Sequence, residues 1–417
     1  MRVLCTVTGS PSHVRSLLPL IRGLRSAGNR VLVAVPPELS ACLAGENVEI
    51  APVFPSLQRF VTERIAAKGN ALPPLAPEEC TAAYASARVS ASVQSPLWAD
   101  GAAELLPVAQ EFQPDLVLRD DFEFSGYLVA EALEIAHLPV PGGVSNVLDL
   151  ATATDPLAVH HQALGIDRTT GGLYRHGRID YMPPSFSFAA TGLPAARAYQ
   201  QPVLTSPGER LPAWLADLGT DRPLVLAAIG TALPMVAERR DEISAWLDPR
   251  AGLAAVIGAV SELDCYAVVS TSGVPTDGVA VPDHVRLADH VPQPLLLEVA
   301  DLFLTHGGYS SVREAIRAGV PMVVHPRMAE QPLNGRRVEE LGLGRVRFDV
   351  DADVLAEACA SLLADREVGR RAAQAKRDML SLPDLSVAVT DMEELAAVAS
   401  DRRTPAPAQD PGPTHRR

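Results

Sequence analysis

Short apolar strands alternate with helical patterns along most of this chain, and this alternation restricts the fold more than any other feature. Residues 2–8 and 30–35 are rich in strand formers, and between them apolar residues recur at helical spacing over 14–24. A strand–helix–strand order of this kind produces parallel strands joined by right-handed crossovers. The sequence therefore predicts an α/β fold built on parallel sheets.

The first half of the chain continues this pattern less regularly. A strand at 114–118, a helix at 124–135 and a strand at 137–140 follow from their apolar residues. The stretch 56–110 indicates helices with proline breaks, and 150–200 indicates long loops and short helices because its periodicity is weak.

A linker-like composition around 201–222 separates this half from a second α/β half. There, strands are predicted at 223–229, 265–270, 285–289, 301–305, 320–324 and 345–348, and helices at 252–262, 293–299, 310–318, 330–341, 353–364 and 366–380. Open sheets bind ligands beyond the carboxyl ends of their strands, so a cleft between the halves is expected. The predicted organisation is a Rossmann-like domain at 1–205, a linker at 206–222, a second Rossmann-like domain at 223–382, a helix at 383–399 that in one arrangement crosses back to the first domain, and a disordered tail at 400–417.

Composition and charge narrow the classes of function. With 47% hydrophobic and 21% charged residues, the chain has the composition of a folded globular protein. Its 36 basic and 50 acidic residues give a net charge of −14, which disfavours non-specific binding to nucleic acid. No secretory signal and no apolar stretch near the ~20 residues of a membrane span is visible. Five scattered cysteines without CxxC spacing indicate buried thiols in a reducing compartment, so we expect a cytoplasmic location.

The most informative motif follows the strand 301–305, where His306-Gly307-Gly308 leads into a helix. Two glycines let the backbone approach a bulky anion, and the helix behind them directs unpaired N–H groups and a partial positive charge at the same point. The pattern predicts a diphosphate site without lysine. A purely structural alternative is a capping box formed by Ser311 and Glu314, with His306 as a structural residue at a strand end.

The surrounding sequence resembles a known family. Asp289-His-Val-Pro-Gln-Pro-Leu-Leu precedes the motif and Gly319-Val-Pro-Met-Val-Val-His-Pro-Arg-Met-Ala-Glu-Gln-Pro-Leu-Asn follows it. Together these blocks resemble the signature of family 1 nucleotide-sugar glycosyltransferases with the GT-B fold, and more narrowly the bacterial natural-product branch. The resemblance implies two Rossmann-like domains facing across a cleft. It also implies inverting transfer of a hexose or deoxyhexose from a dTDP- or UDP-sugar to a lipophilic aglycone in antibiotic or secondary-metabolite biosynthesis.

The resemblance also implies roles for the motif residues. His306 and the turn 308–311 would hold the pyrophosphate, Glu314 would bind the ribose hydroxyls, and Glu330 with Gln331 would face the sugar. The family often has an aromatic residue where this chain has His290, so the choice of uridine or thymidine stays open. It often has Asp where this chain has Glu330, and the longer side chain would suit a sugar with fewer or shifted hydroxyls. The donor-site residues predicted in this way are Gly230, Thr231, His290, Val291, His306, Gly307, Gly308, Ser310, Ser311, Glu314, Glu330 and Gln331.

Removing the proton from an acceptor hydroxyl calls for a base with a pKa near neutrality, and histidine is the usual solution. His13 follows the first strand and resembles the family's N-terminal catalytic histidine; the alternative is a polar residue in the first turn of a helix. A carboxylate that fixes the ring is expected at Asp120, with Asp121 as its rival. Glu123 is a third acid that could contact the acceptor or the sugar.

Other polar clusters are given structural interpretations. The Asp-x-Asp at Asp349 and Asp351 precedes a helical pattern and is interpreted as a helix cap, so no metal and no further cofactor is expected. Histidines 160, 161, 176 and 325 are interpreted as loop or strand-end residues, and Tyr174, Tyr181, Phe186 and Phe188 as either core or acceptor-pocket residues.

Two other functions are compatible with the same fold. One is a non-catalytic partner of a glycosyltransferase, and the other is a nucleotide-sugar epimerase or hydrolase. A homodimer stays open as the oligomeric state.

Overall fold

A computed structural model of the chain contains two parallel sheets, one in each half. It describes residues 1–56, 59, 75–166, 172–206, 208–231 and 248–403. The first sheet has the order β3-β2-β1-β4-β5 and the second the order β10-β9-β8-β11-β12-β13, while β6 and β7 form a small separate pair. The strands are β1 Arg2–Thr6, β2 Arg30–Val35, β3 Glu49–Pro52, β4 Leu116–Asp120, β5 Ala136–Val140, β6 Arg178–Asp180, β7 Ala196–Ala198, β8 Leu224–Ala228, β9 Tyr266–Ser270, β10 Val285–Ala288, β11 Leu302–Thr305, β12 Met322–Val324 and β13 Gly344–Val346.

Helices cover both sheets. They are α1 Pro11–Ser26, α2 Ala82–Val93, α3 Leu97–Phe112, α4 Ser125–Ala132, α5 Leu150–Ala163, α6 Pro249–Ser261, α7 Gln293–Leu297, α8 Tyr309–Ala318, α9 Gln331–Glu340, α10 Ala352–Ala364, α11 Arg366–Leu380 and α12 Leu385–Arg403. Every strand pair is parallel, so the α/β class predicted from the alternation is confirmed. Among the described residues, no helix is long and apolar enough to cross a membrane.

Helix α1 shows how the sequence positions the first part of the cleft. Proline at Pro11 suits a first helical position because it has no N–H to leave unpaired. The helix ends before Gly28, whose φ of 82° is the left-handed conformation that glycine accepts without strain. Its apolar face, which includes Leu17 and Leu24, is buried against the first sheet.

Each half of the chain contributes a segment to the hydrophobic core of the other half. Helix α12 packs on α1, with Ala388 and Met392 in the core of the first half, and Asn29 donates a hydrogen bond to Glu393 at 2.9 Å. In the other direction, Met182 and Phe188 are buried in the core of the second half. The helix therefore crosses back, and the two halves are connected by packing as well as by the linker.

The region 150–200 differs from the predicted loops and short helices. Helix α5 is a single helix of 14 residues, and it packs on α2. Its buried side includes His160, whose Nε2 lies 2.6 Å from the carbonyl oxygen of Val93. A polar residue on the buried face weakens the apolar periodicity, which is why the pattern did not reveal the helix. His160 and His161 are consequently helical residues, and not loop residues.

The structure also bears on two predictions, one about the cap of α10 and one about the C-terminal tail. Asp351 accepts hydrogen bonds from the N–H groups of Asp353 and Val354 at 2.9 and 3.3 Å, so the Asp-x-Asp segment caps α10 as predicted. Helix α12 continues to Arg403, past the expected end of order at residue 400. The rest of the predicted tail, and the part of 56–110 at 57–58 and 60–74, lie outside the described residues.

Candidate active site

A cleft of about 920 Å³ lies between the carboxyl ends of the two sheets. Its lining contains twelve of the fourteen residues predicted for the site. Asp120 lies beneath His13, away from the cleft surface, and Gly307 does not line the cleft because its backbone is turned into the second half. The lining residues are His13, Gly230, Thr231, His290, Val291, His306, Gly308, Ser310, Ser311, Glu314, Glu330 and Gln331.

His13 and Asp120 form a hydrogen-bonded pair at the first-half wall of this cleft. His13 is the third residue of α1, and its Nδ1 lies 3.0 Å from Oδ1 of Asp120 at the end of β4. The histidine side chain is 22% exposed, whereas the carboxylate is fully buried. Asp120 also accepts the N–H of Phe122 at 2.9 Å, which fixes the carboxylate. This arrangement leaves Nε2 of His13 as the ring nitrogen available to the cleft.

The pKa of His13 is raised by its acidic neighbours. Burial lowers the pKa, but the charge and hydrogen bond of Asp120, with smaller contributions from Asp121 and Glu330, raise it to about 9. The ring is therefore protonated at neutral pH.

The two other acids near Asp120 have structural roles. Asp121 accepts the N–H groups of Gly142, Gly143 and Ser145 and the hydroxyl of Ser145, so it holds the loop after β5. Glu123 is fully buried and accepts hydrogen bonds from Thr6 and from the first N–H groups of α4. The expectation that Glu123 could contact acceptor or sugar is wrong, because its carboxylate is used inside the first half.

His306 explains two of the predicted glycines. A Cβ atom at Gly230 or at Gly308 would lie 2.5 Å from Nε2 of His306, so the imidazole fills the space that side chains would need. Its backbone N–H donates to the carbonyl of Ala228 at 3.2 Å, and burial lowers the pKa of the ring to about 4. The ring is therefore neutral, and its buried Nδ1 has no hydrogen-bond partner within the part of the chain that the structure describes.

The capping-box alternative for Ser311 and Glu314 is wrong. Helix α8 begins after Gly308, which caps it without a side-chain hydrogen bond, so Ser311 lies inside the first turn. Both side chains are turned instead towards Gln293, whose Nε2 donates to Ser311 Oγ at 3.2 Å and to Glu314 Oε2 at 2.7 Å. Gly308 gives the first N–H groups of α8 no side-chain cap, and residues 308–311 line the cleft, where the Tyr309 N–H faces the Glu330 carboxylate.

Glu330 is the residue before α9, and Gln331 is the first residue of that helix. Burial raises the pKa of Glu330, and the Tyr309 N–H at the start of α8 partly offsets this rise. Gln331 uses its side-chain oxygen to accept the N–H groups of Arg327 and Met328 at 2.9 and 3.1 Å. The side-chain amide of Gln331 therefore holds the loop that precedes α9, a role that the sequence did not indicate.

The outer part of the donor side is open. The side chain of His290 is 79% exposed and Thr231 is exposed at the rim, so neither is fixed by burial. Gln293 and Arg15 contact Glu314 and were not predicted as site residues. Gln293 stood within the quoted block at 289–296, whereas Arg15 carried no signal because its partner lies 299 positions away.

The first-half wall of the cleft is the side predicted to bind the acceptor. It contains Tyr84, Val89, Phe122 and Val147, together with Arg88. The aromatic residues proposed for this role from the sequence are placed elsewhere: Tyr174, Tyr181 and Phe188 are buried in the cores, and Phe186 packs against the second-half core. Aromatic composition alone did not distinguish core from pocket.

Substituting Gly308 tests the packing of His306. Gly308 has φ −59° and ψ 142°, which alanine also adopts, so the only obstacle to Gly308→Ala is the clash with the imidazole. We expect the variant to lose about 1–3 kcal/mol of unfolding free energy, and to lose little in a His306→Ala background. Urea denaturation measures both values.

Gly230→Ala is the matched contrast. Gly230 has φ +82°, so alanine should stay costly there even without the imidazole. Equal losses for Gly308→Ala with and without His306 would contradict the packing interpretation.

Comparison with known proteins shows which enzymes the chain resembles. Residues 254–395 match the family model for the erythromycin biosynthesis protein CIII-like C-terminal domain. The chain is 26% identical to erythronolide mycarosyltransferase of Saccharopolyspora erythraea, with 95% of this chain and 99% of that protein covered. It is 27% identical to tylactone mycaminosyltransferase of Streptomyces fradiae, over 97% of this chain and 94% of that protein.

Solved structures show the same fold. The spinosyn rhamnosyltransferase SpnG, determined with thymidine diphosphate and with the spinosyn aglycone, superposes with a TM-score of 0.71 at 24% identity, over 94% of this chain and 100% of that protein. The resemblance to bacterial natural-product glycosyltransferases is therefore confirmed, and the chain has the GT-B fold of the solved structures.

Proposed function

We propose that this enzyme transfers a hexose or deoxyhexose, with inversion, from a dTDP- or UDP-sugar to a hydroxyl group of a lipophilic natural-product aglycone in antibiotic or secondary-metabolite biosynthesis. The observation that carries the proposal is the shared cleft, in which the Asp120-paired His13 and the uncapped start of α8 line opposite walls. The relatives named above support both substrate classes, since SpnG binds thymidine diphosphate and an aglycone.

The second half supplies the donor site. The start of α8 offers N–H groups and the positive end of a helix dipole to a diphosphate. His306 is neutral and can donate one further hydrogen bond without adding charge. Stabilising the departing nucleoside diphosphate in this way lowers the barrier to breaking the bond between the sugar carbon and the phosphate oxygen.

The first half supplies the base. Nε2 of His13 takes the proton from the acceptor hydroxyl while the oxygen forms a bond to the anomeric carbon of the sugar. The bond from that carbon to the phosphate oxygen breaks, and its electron pair leaves with the nucleoside diphosphate. Asp120 keeps Nδ1 protonated and stabilises the imidazolium that forms. A single displacement with attack from the face opposite the leaving group inverts the anomeric configuration.

Transfer to an acceptor is the experiment that separates this proposal from its alternatives. We expect the enzyme to convert a dTDP-deoxyhexose only when an aglycone from a panel of polyketide alcohols and phenols is present, as followed by mass spectrometry. His13→Ala should lose roughly 10²-fold or more of this rate, because a general base is removed, while nucleotide binding stays intact.

Turnover of the donor without acceptor would instead indicate an epimerase or hydrolase. Absence of turnover with every donor and acceptor, in the presence of tight nucleotide binding, would favour a non-catalytic partner. Unchanged turnover by His13→Ala would contradict the role of the histidine.

The raised pKa of His13 predicts the pH dependence. The base acts only when Nε2 is unprotonated, so kcat/KM should rise with pH through a midpoint of about 9. Asp120→Asn removes the negative charge that raises the pKa of His13. The midpoint should therefore move to lower pH, while the limiting rate falls by about tenfold or more. A midpoint that stays in place in Asp120→Asn would show that another group titrates.

We also expect transfer without a divalent metal, because α8 and His306 can stabilise the leaving diphosphate and because Asp351 of the Asp-x-Asp segment is used as a helix cap. Activity should stay within about twofold after treatment with EDTA and gel filtration. Loss of activity that is restored by Mg²⁺ or Mn²⁺ would contradict this expectation.

A cytoplasmic location is part of the same proposal. The five cysteines are all free thiols in the structure, which supports a reducing compartment.

A further inference from the structure

Arg15 forms an ion pair across the cleft. It lies on α1 in the first half, and its Nη2 is 3.2 Å from Oε1 of Glu314 on α8 in the second half. The arginine side chain is 30% exposed and the carboxylate is 7% exposed. The pair therefore joins a flexible, partly solvated cation to a buried acid inside the proposed donor site.

Glu314 is already engaged on both oxygens. Oε2 accepts the amide of Gln293 at 2.7 Å, and Oε1 accepts Arg15. If Glu314 binds ribose, as proposed above, an arriving sugar hydroxyl must share or replace one of these donors. Gln293 comes from the same half and also contacts Ser311. Arg15 comes from the opposite half and has the longer side chain, with more rotatable bonds, so it is the easier donor to displace.

The displaced arginine would be next to the diphosphate site. The following residue, Ser16, has its hydroxyl 3.2 Å from that of Ser310 in the first turn of α8. The buried Arg313 donates to Ser16 at 3.1 Å and holds this contact. The backbone at Arg15 is therefore fixed beside the start of α8, within reach of an anion bound there.

The other arginines that line the described part of the cleft are already engaged. Arg88 donates to the hydroxyl of Tyr84 at 3.1 Å on the acceptor side. Arg327 lies 3.2 Å from Nε2 of His325, behind the donor wall. A diphosphate bound without a metal benefits from a guanidinium, which matches phosphate oxygens with parallel N–H donors.

We propose that Arg15 exchanges partners when the donor binds: it leaves the Glu314 carboxylate to the ribose and binds the diphosphate. This inference rests on the proposed function. Arg15 then acts as a donor-positioning residue that connects occupation of the ribose site with neutralisation of the phosphates. A nucleoside without phosphates must displace Arg15 and gives it no new partner, whereas a nucleoside diphosphate provides one.

Paired binding measurements test this exchange. For Arg15→Gln we expect the Kd of thymidine diphosphate to rise by about tenfold or more, because a charged hydrogen-bonding partner of the phosphates is lost. The Kd of thymidine should stay the same or fall, because the competitor for Glu314 is gone. Calorimetry measures the diphosphate, and ligand-observed NMR measures the nucleoside. Arg15→Lys keeps the charge without the paired donors and should keep part of the diphosphate affinity.

Arg22→Gln is the matched control. It lies on the same helix, and its guanidinium pairs with Glu46 outside the cleft. This control should bind both ligands as the unmodified enzyme does.

The proposed exchange is contradicted if Arg15→Gln raises the Kd of both ligands by the same factor, since Arg15 would then only position Glu314. It is also overturned if diphosphate binding does not change. Failure of the unmodified enzyme to bind thymidine diphosphate or uridine diphosphate would refute the proposed function itself. The two failures can be distinguished, because the first is seen in the Arg15→Gln variant and the second in the unmodified enzyme.

Discussion

The contact between the first turn of α8 and helix α1 is the constraint on which the site depends. Ser16 and Ser310 are hydrogen-bonded at 3.2 Å, which small side chains allow. Because the two helices touch there, the uncapped start of α8 faces the wall that carries His13. A leaving anion and an attacking hydroxyl can then be held on opposite sides of one sugar. Without this contact each half would keep its residues but lose the shared cleft.

A buried polar cluster stabilises this contact. Arg313 is 2% exposed and lies over the rings of Tyr181 and Tyr309, with its carbon Cζ 4.9 and 5.0 Å from the ring centroids. Asp180 accepts the hydroxyl of Tyr309 at 3.1 Å, and Tyr181 donates to the carbonyl of Ser16 at 3.0 Å. Cation–π contacts and hydrogen bonds depend on orientation, unlike apolar burial, so the cluster fixes how the halves meet.

The predictions from sequence succeeded where the information is local. The second-half strands and helices follow from apolar periodicity, and Gly307 follows from the turn after β11, where its φ is 83°. The predictions failed where a residue's environment comes from distant parts of the chain. Glu123 was considered as a contact of the acceptor or the sugar, but its partner is Thr6, 117 positions away. Helix α5 was missed because a buried histidine interrupts its apolar face.

The sequence by itself determined the α/β class, the glycine turn before α8, and the presence of a histidine and an acid at strand ends. These features depend on residue type and on spacing within about ten positions, so they can be read along the chain. Only the tertiary structure decided that Asp120 and not Asp121 pairs with His13, that His306 is neutral, and that Arg15 reaches Glu314. Each of these depends on distances and burial between segments that are remote in sequence, and such distances exist only after the two halves have packed together.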